Sequence, residues 1–223
     1  MSRVHDMGGR FGDGAVNASD DATFAQDWHA RALALTLAAG ALGQWNIDIS
    51  RHARERLSPK DYTRFSYYEK WMGGLAELLV EAGIVTREEL QSGKADGISP
   101  LADRKLLAEK VVAALAAGGP ADRPSDIAPA FKRGDKVRLR ARAGNTLVNG
   151  GHTRLPAYAA GAVGEVVIYH GTHILPDSSA HGLGEAPEPL YAVAVKATEL
   201  WEHPENPNDE VILDLWQSYL EPA

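Results

Sequence analysis

The chain has 223 residues, 44% hydrophobic and 24% charged, which is enough for one large or two small domains with cores of their own. Its net charge of −7 argues against nucleic acid as a partner, no window reaches the roughly 18 uninterrupted apolar residues of a membrane span, and the amino terminus lacks the apolar stretch of a secretory signal, so a cytoplasmic address is expected. Cysteine is absent, which removes disulfides, thiolate nucleophiles and cysteine-held metal from this chain.

Residues 1–20, rich in Gly, Asp and Asn and without periodicity, predict an extended arm that is either disordered or ordered by a partner. Thr23 and Gln26 have the spacing of a capping box and predict a helix carrying Phe24, Trp28 and Leu35, ended by Gly40 and Gly43. Asn46 is the expected cap of a second helix through Leu57, stopped by Ser58 and Pro59. Ser66 and Glu69 form another box, ahead of a helix to Gly83 that sets Trp71, Leu75, Leu78, Leu79 and Ala82 on one buried face. Gly73 and Gly74 inside it cost about 2 kcal/mol relative to alanine, so they predict close approach of another helix. Thr86 and Glu89 give a third box closing at Gly93, and Ser99-Pro100 opens a helix bearing Leu107, Val111 and Leu115.

Gly118, Gly119, Pro120, Pro124 and Pro129 then break all periodicity. The stretch 118–129 is read as a linker between a helical domain, 21–117, and a strand-rich domain, 130–223. Strands are predicted at 136–141, 164–169, 191–195 and 211–215, and four or five short strands in ~90 residues suit a small SH3-like β-barrel. The expected fold class is α+β, an arm and a helical half followed by that barrel.

Lys132, Arg133, Lys136, Arg138, Arg140 and Arg142 form a run of cations that from Lys136 alternates with Val137, Leu139 and Ala141. That is the period of a half-buried strand, and with no interleaved aromatics it reads as a solvated sheet face. His170, His173, Asp177 and His181 fit no standard metal-ligand spacing, and His-Gly pairs at strand corners are commonly hydrogen-bonded turns. His52 and Glu55, three apart on a helix, have the spacing of a proton relay and equally of an ordinary charged pair. No P-loop, Gly-x-Ser-x-Gly or HExxH occurs, so no self-sufficient catalytic set stands out.

Within 150–201 the run GHTRLPAY, then VG, HG, PD, AHGLG, LY and ELW, marks the corners between short apolar runs. This succession resembles the C-terminal domain of the nitrile hydratase β subunit. MSRVHDMGGRFGDGAV at the amino terminus resembles the opening arm of the same subunit, and SRHARERLSPKDYTRFSYYEKW, 50–71, is similar to its helical half. The three matches follow the family's order over nearly the whole chain, whereas the accessory proteins of these operons resemble one half only.

The resemblance implies the β subunit of a hydro-lyase that adds water to a nitrile and releases an amide, active only as an αβ complex. It implies αβ or (αβ)₂ assembly, an arm laid on the α subunit, and no metal on this chain, with low-spin iron or cobalt held by α-subunit cysteines. In that family two of those cysteines are oxidised to sulfenate and sulfinate, and two β-subunit arginines donate hydrogen bonds to their oxygens. The matched positions are Arg51, in Ile49-Ser50-Arg51-His52, and Arg154, in GHTRLPAY. The planar guanidinium suits this role because it stays charged and presents several donors. The same matching puts a substrate-side hydroxyl at Tyr67 and an apolar lining at Trp71 and Ile47, while Tyr68 is the expected core member of the tyrosine pair. Arg54, outside the matched position, is expected to tolerate lysine.

This sequence departs from the family in Ala159-Ala160-Gly161-Ala162, where basic residues are usual, and in a slightly longer loop at 142–151. A rival reading is a non-catalytic accessory or metallochaperone-type protein that grips a metal-loading partner through the barrel. The fused helical half and the presence of both arginines argue against it.

Overall fold

The computed structural model describes residues 4–6 and 23–223, so most of the arm expected over 1–20 lies outside the described residues. The chain divides into two compact units, which in described residues are 23–119 and 4–6 with 120–223.

The first unit is helical: α1 Asp27–Gly40, α2 Ile47–Glu55, α3 Pro59–Arg64, α4 Tyr67–Glu81, α5 Arg87–Ser92 and α6 Ala108–Ala117. Local chemistry accounts for most of its boundaries. The Asn46 side chain accepts from the Asp48 and Ile49 N–H groups at 3.0 and 2.9 Å and so caps α2. Ser58, with Pro59 in the first turn, does more than stop α2: it starts the short α3. The Ser66 N–H donates to Glu69 Oε2 at 2.7 Å ahead of α4, and the equivalent Thr86–Glu89 box opens α5, which closes at Gly93 in the left-handed region.

Two helix starts differ from expectation. The Thr23 box does not cap α1, because Gln26 is its N-cap and the Gln26 side chain is taken by Trp28 Nε1 at 2.5 Å. The helix expected from Ser99 begins only at Ala108, since the Leu101 N–H bonds Ser99 Oγ and the chain first makes a 3-10 turn, Ala102–Arg104. Helices α1 and α2 both pack on α4.

The second unit holds β1 Lys136–Leu139, β2 Val163–His173, the short α7 Pro176–Ser179, β3 Glu188–Lys196, α8 Ala197–Leu200, β4 Glu210–Trp216 and β5 Leu220–Pro222. The strands form one antiparallel sheet in the order β4-β3-β2-β1-β5. The expected SH3-like barrel is therefore corrected to an open sheet. Among the described residues β4 pairs with β3 alone and the three-residue β5 with β1 alone, so both remain edges. Strands β2 and β3 also run longer than predicted, because register shifts after Val166 and Tyr169 let pairing continue to His173.

One face of this sheet is buried under Val137, Leu139, Leu155, Val166, Tyr191, Val193, Val195, Leu215 and Tyr219. Each large apolar side chain so buried contributes roughly 1.5–3 kcal/mol. Strand β1 alternates as its cation pattern predicts: Val137 and Leu139 are buried, and Lys136 and Arg138 face out. Among the described residues no helix is long and apolar enough to cross a membrane.

Candidate functional site

In the helical unit, α2 carries Ile47 and Arg51 one turn apart. The Arg51 guanidinium donates through Nη1 to Asp48 Oδ1 at 2.9 Å; the Asp48 side chain is 8% exposed and that of Arg51 38%. Asp48 sits in the first turn of α2, where the helix dipole favours a carboxylate. A buried acid thus holds one donor of Arg51, whose side chain stays partly exposed. Ile47 is exposed.

Helix α4 starts at Tyr67, whose ring is largely exposed, and the Tyr67 and Trp71 rings lie 5.5 Å apart on one face. Among the described residues the Tyr67 hydroxyl makes no hydrogen bond. Tyr68 is the inward member of the pair, its ring 4.7 Å from that of His29 and 6.0 Å from Phe24.

Trp71 borders a shallow surface recess with Thr36, Ser50, Arg54 and Leu75. Ile47 is not among the residues bordering it. Arg54 lies 4.8 Å over the Trp71 ring and donates from Nε to the Ser50 carbonyl at 3.1 Å. Burial lowers its pKa from the usual guanidinium value, and Gly74 of α4 lies beneath its stem. Arg54 is thus part of the α2–α4 contact and not a bystander on the helix. His52 Nδ1 lies 3.5 Å from Glu55 Oε2 with both side chains mostly covered, so this pair is not an exposed surface bridge.

Arg154 belongs to the second unit, on the loop between β1 and β2, with its side chain exposed. Among the described residues the guanidinium has no hydrogen-bond partner, while the backbone around it is firmly held. His152 and Leu155 are each 1% exposed. The Arg154 N–H and Thr153 Oγ1 each lie 3.2 Å from the Tyr219 hydroxyl, which donates to the buried carboxylate of Asp177. The Asn145 amide donates to the carbonyls of His152, at 2.6 Å, and Asp177, at 2.7 Å, and the His152 N–H donates to His181 Nε2 at 2.9 Å. Just beyond, the Ala157 N–H donates to the Asp6 carboxylate at 2.9 and 3.0 Å.

Burial raises the Asp177 carboxyl above its ordinary range, against the lowering pull of the bond from Tyr219. Burial, with the neighbouring Asp177 charge, pushes the Tyr219 phenol well above its own. Arg140, one of the expected outward cations, instead turns in: its guanidinium lies 4.8 Å over the Tyr219 ring.

The histidines considered as a metal cluster part company. His170 Nε2 lies 3.0 Å from Asp214 Oδ1 on the sheet, Asp177 serves Tyr219, and His181 serves His152. Among the described residues no three His, Asp or Glu side chains converge as metal ligands. Sequence reasoning did not find Asp48, Asn145 or Tyr219. Asp48 was marked by its three-residue spacing to Arg51; the other two make contacts that no local pattern encodes.

The family model described as nitrile hydratase beta subunit, N-terminal, matches residues 1–114, and the one described as nitrile hydratase beta subunit, C-terminal, matches 120–222. The low-molecular weight cobalt-containing nitrile hydratase subunit beta of Rhodococcus rhodochrous is 38% identical over 231 aligned residues, with all of both chains covered. A nitrile hydratase subunit beta of Pseudomonas putida is 36% identical, again over 100% of both chains. The cobalt-containing subunit beta of Pseudonocardia thermophila is 35% identical over 99% of this chain and 96% of its own. A solved chain described as thiocyanate hydrolase from Thiobacillus thioparus, recombinant apo-enzyme, overlaps 53% of this chain and 98% of its own at 23% identity and a TM-score of 0.38, too low to bear on fold or function.

Proposed function

This chain belongs to the nitrile hydratase β-subunit family, whose enzyme hydrates nitriles to amides, and on that premise we propose that it completes an active site with a metal-carrying α subunit. The observation that carries this is that both halves of the family are present in one chain, in order and end to end. The chain's own residues do not fit a metal centre, since it has no cysteine and its described histidines and acids do not converge. The metal is assigned to the α subunit, and cobalt in the names of two relatives favours cobalt over iron.

What this chain contributes is donors and walls. Arg51 and Arg154 each offer free N–H groups of a rigid fork to the oxidised cysteine oxygens of the α subunit, where a permanent cation in a desolvated interface holds an anionic oxygen without protonating it. Asp48 supports the first of these by fixing one donor and leaving the others. The Tyr67 hydroxyl, unengaged in the described residues, hydrogen-bonds the nitrile nitrogen or the attacking oxygen. Trp71 and Ile47 supply apolar surface beside it, suited to a nitrile's hydrocarbon part. Assembly is αβ or (αβ)₂.

Reconstitution tests the reading. The purified chain alone should release no amide from a nitrile, and adding the metal-loaded α subunit should restore hydration in proportion to complex formed. Hydration by the isolated chain, or stoichiometric cobalt or iron bound to it, would overturn the division of roles.

A further inference from the structure

The interior of the sheet unit contains a polar chain that the roles above do not use. Tyr219 is 0% exposed and Asp177 2%, yet the phenol hydroxyl donates to the Asp177 carboxylate. Two donors reach the same phenol oxygen, Thr153 Oγ1 and the Arg154 backbone N–H, each at 3.2 Å. The Tyr219 carbonyl accepts the Arg140 N–H at 2.9 Å, so Tyr219 is itself tied to the chain end of β1. A phenol that accepts two hydrogen bonds while donating to a buried carboxylate is polarised along the chain, and each bond strengthens the next.

Around this chain the loop has almost no freedom. Asn145 grips the loop ahead of Arg154 through the His152 carbonyl. At Gly151 an added Cβ would fall 2.6 Å from His181 Nε2 and 2.8 Å from Asn145 Nδ2, so a larger residue would push both anchors away. Within the stretch from His152 to Leu155, His152 and Leu155 are buried while Arg154 points its side chain to solvent. Part-buried hydrogen bonds thus hold the backbone of one exposed arginine.

Building on the role proposed above for Arg154, we propose that Tyr219 is a positioning residue for it, setting the direction of the guanidinium by accepting the Arg154 N–H while anchored on Asp177. A donor that must meet an acceptor on another subunit gains from a fixed origin, because misplacement by about 1 Å at a reacting site costs on the order of a hundredfold in rate.

The test uses the assembled αβ complex and the variants Tyr219→Phe, Tyr191→Phe, Arg154→Lys and the double variant of Tyr219 and Arg154. Tyr191 is the matched comparison: it is 0% exposed in the same core, but its hydroxyl serves Gln217 at 2.9 Å and the Phe131 N–H at 3.3 Å. Tyr219→Phe should lower kcat about tenfold or more with KM little changed. Tyr191→Phe should keep kcat within about twofold at a similar loss of thermal stability. In the Arg154→Lys background, Tyr219→Phe should cost little further, since its effect passes through the residue already altered.

Normal kcat for Tyr219→Phe, or full additivity with Arg154→Lys, overturns the positioning role. Normal kcat for Arg154→Lys overturns instead the site reading on which it rests. Should Tyr219→Phe fail to assemble, amide exchange at Arg154 in the native complex decides. Strong protection of that N–H, beyond what its exposed side chain suggests, supports the proposal; exchange at the rate of an open loop overturns it.

Discussion

Asp48 and Arg51 meet across one turn of α2, 2.9 Å apart, with the acid buried and the guanidinium half in solvent. The asymmetry matters more than the bond. An exposed pair at this spacing would contribute a few tenths of a kcal/mol and leave both side chains mobile. Here the acid is buried, so it acts as a post for a cation that stays partly in solvent. Removing its charge should therefore be felt at the outer end of Arg51. Asp48→Asn is expected to lower kcat of the assembled enzyme by about tenfold, corresponding to loss of a charged hydrogen bond. Steady-state kinetics beside a thermal melt checks this. An unchanged kcat in a folded complex would mean that Asp48 does not set the position of Arg51.

The contact between α2 and α4 gives a prediction of opposite sign to the usual helix rule. Glycine to alanine inside a helix ordinarily stabilises by about 1 kcal/mol. At Gly74 a new Cβ would lie 2.7 Å from Arg54 Cγ and 3.2 Å from the Arg54 backbone nitrogen, whereas at Gly73 it would meet the flexible end of Leu57 at 3.1 Å and the edge of Phe65 at an ordinary 3.5 Å. Gly74→Ala should destabilise by about 1–3 kcal/mol, as overpacked sites do, while Gly73→Ala should be near neutral. Denaturant unfolding of the two variants separates them, and equal stabilities would remove the case for close approach at Gly74.

Asp177 gives a pH dependence whose sign follows from its burial. Its folded-state pKa lies above the ordinary carboxylate value, so the folded state binds a proton more readily than the unfolded state. The stability this contributes is present at low pH and is lost as pH rises through the raised pKa. The Asp177→Asn variant keeps an oxygen for the Tyr219 hydroxyl but has no charge to bury. Glu188, also raised by burial and hydrogen-bonded to Ser218, is raised further by the Asp177 charge, so the variant relieves part of its shift and the difference keeps the same sign. Relative to wild type, Asp177→Asn should melt higher at about pH 7 than at about pH 4, near the unperturbed carboxylate value. A difference in Tm that does not vary with pH would contradict this.

How far these features could be read in the sequence depended on their range. The caps at Asn46 and Ser66 and the box at Thr86 involve residues within a turn of each other, and the structure has them where the spacing put them; of the expected stripe of α4, Leu75 and Leu78 are buried and Trp71 and Leu79 half-buried, while Ala82 lies past the helix end and is exposed. The inward turn of Tyr68 likewise follows from the helical period. Closure of a sheet depends on which edges meet, and strand pattern alone does not say that β4 and β5 stay apart. The bond from Tyr219 to Asp177 spans 42 positions, and the bond from the Arg154 N–H to the Tyr219 hydroxyl spans 65. Neither has a local signature. Arg54 shows the same limit: its helical position suggested a harmless surface cation, while its covering by Trp71 and Gly74 comes from a different helix.

We propose Arg51 and Arg154, far apart in the chain, as donors to the oxidised cysteines of the α subunit. Lysine at either position keeps the charge and loses the fork. Arg64 is the suitable comparison, 60% exposed and paired with Asp61 on its own helix, in place of the half-buried Arg54. The measurement is kcat for Arg51→Lys, Arg154→Lys and Arg64→Lys in assembled complexes of equal metal content. The first two should fall by about ten- to a hundredfold, the cost of a lost charged hydrogen bond, with Arg64→Lys near wild type. Wild-type turnover in either of the first two, or an equal fall in all three, would contradict the assignment.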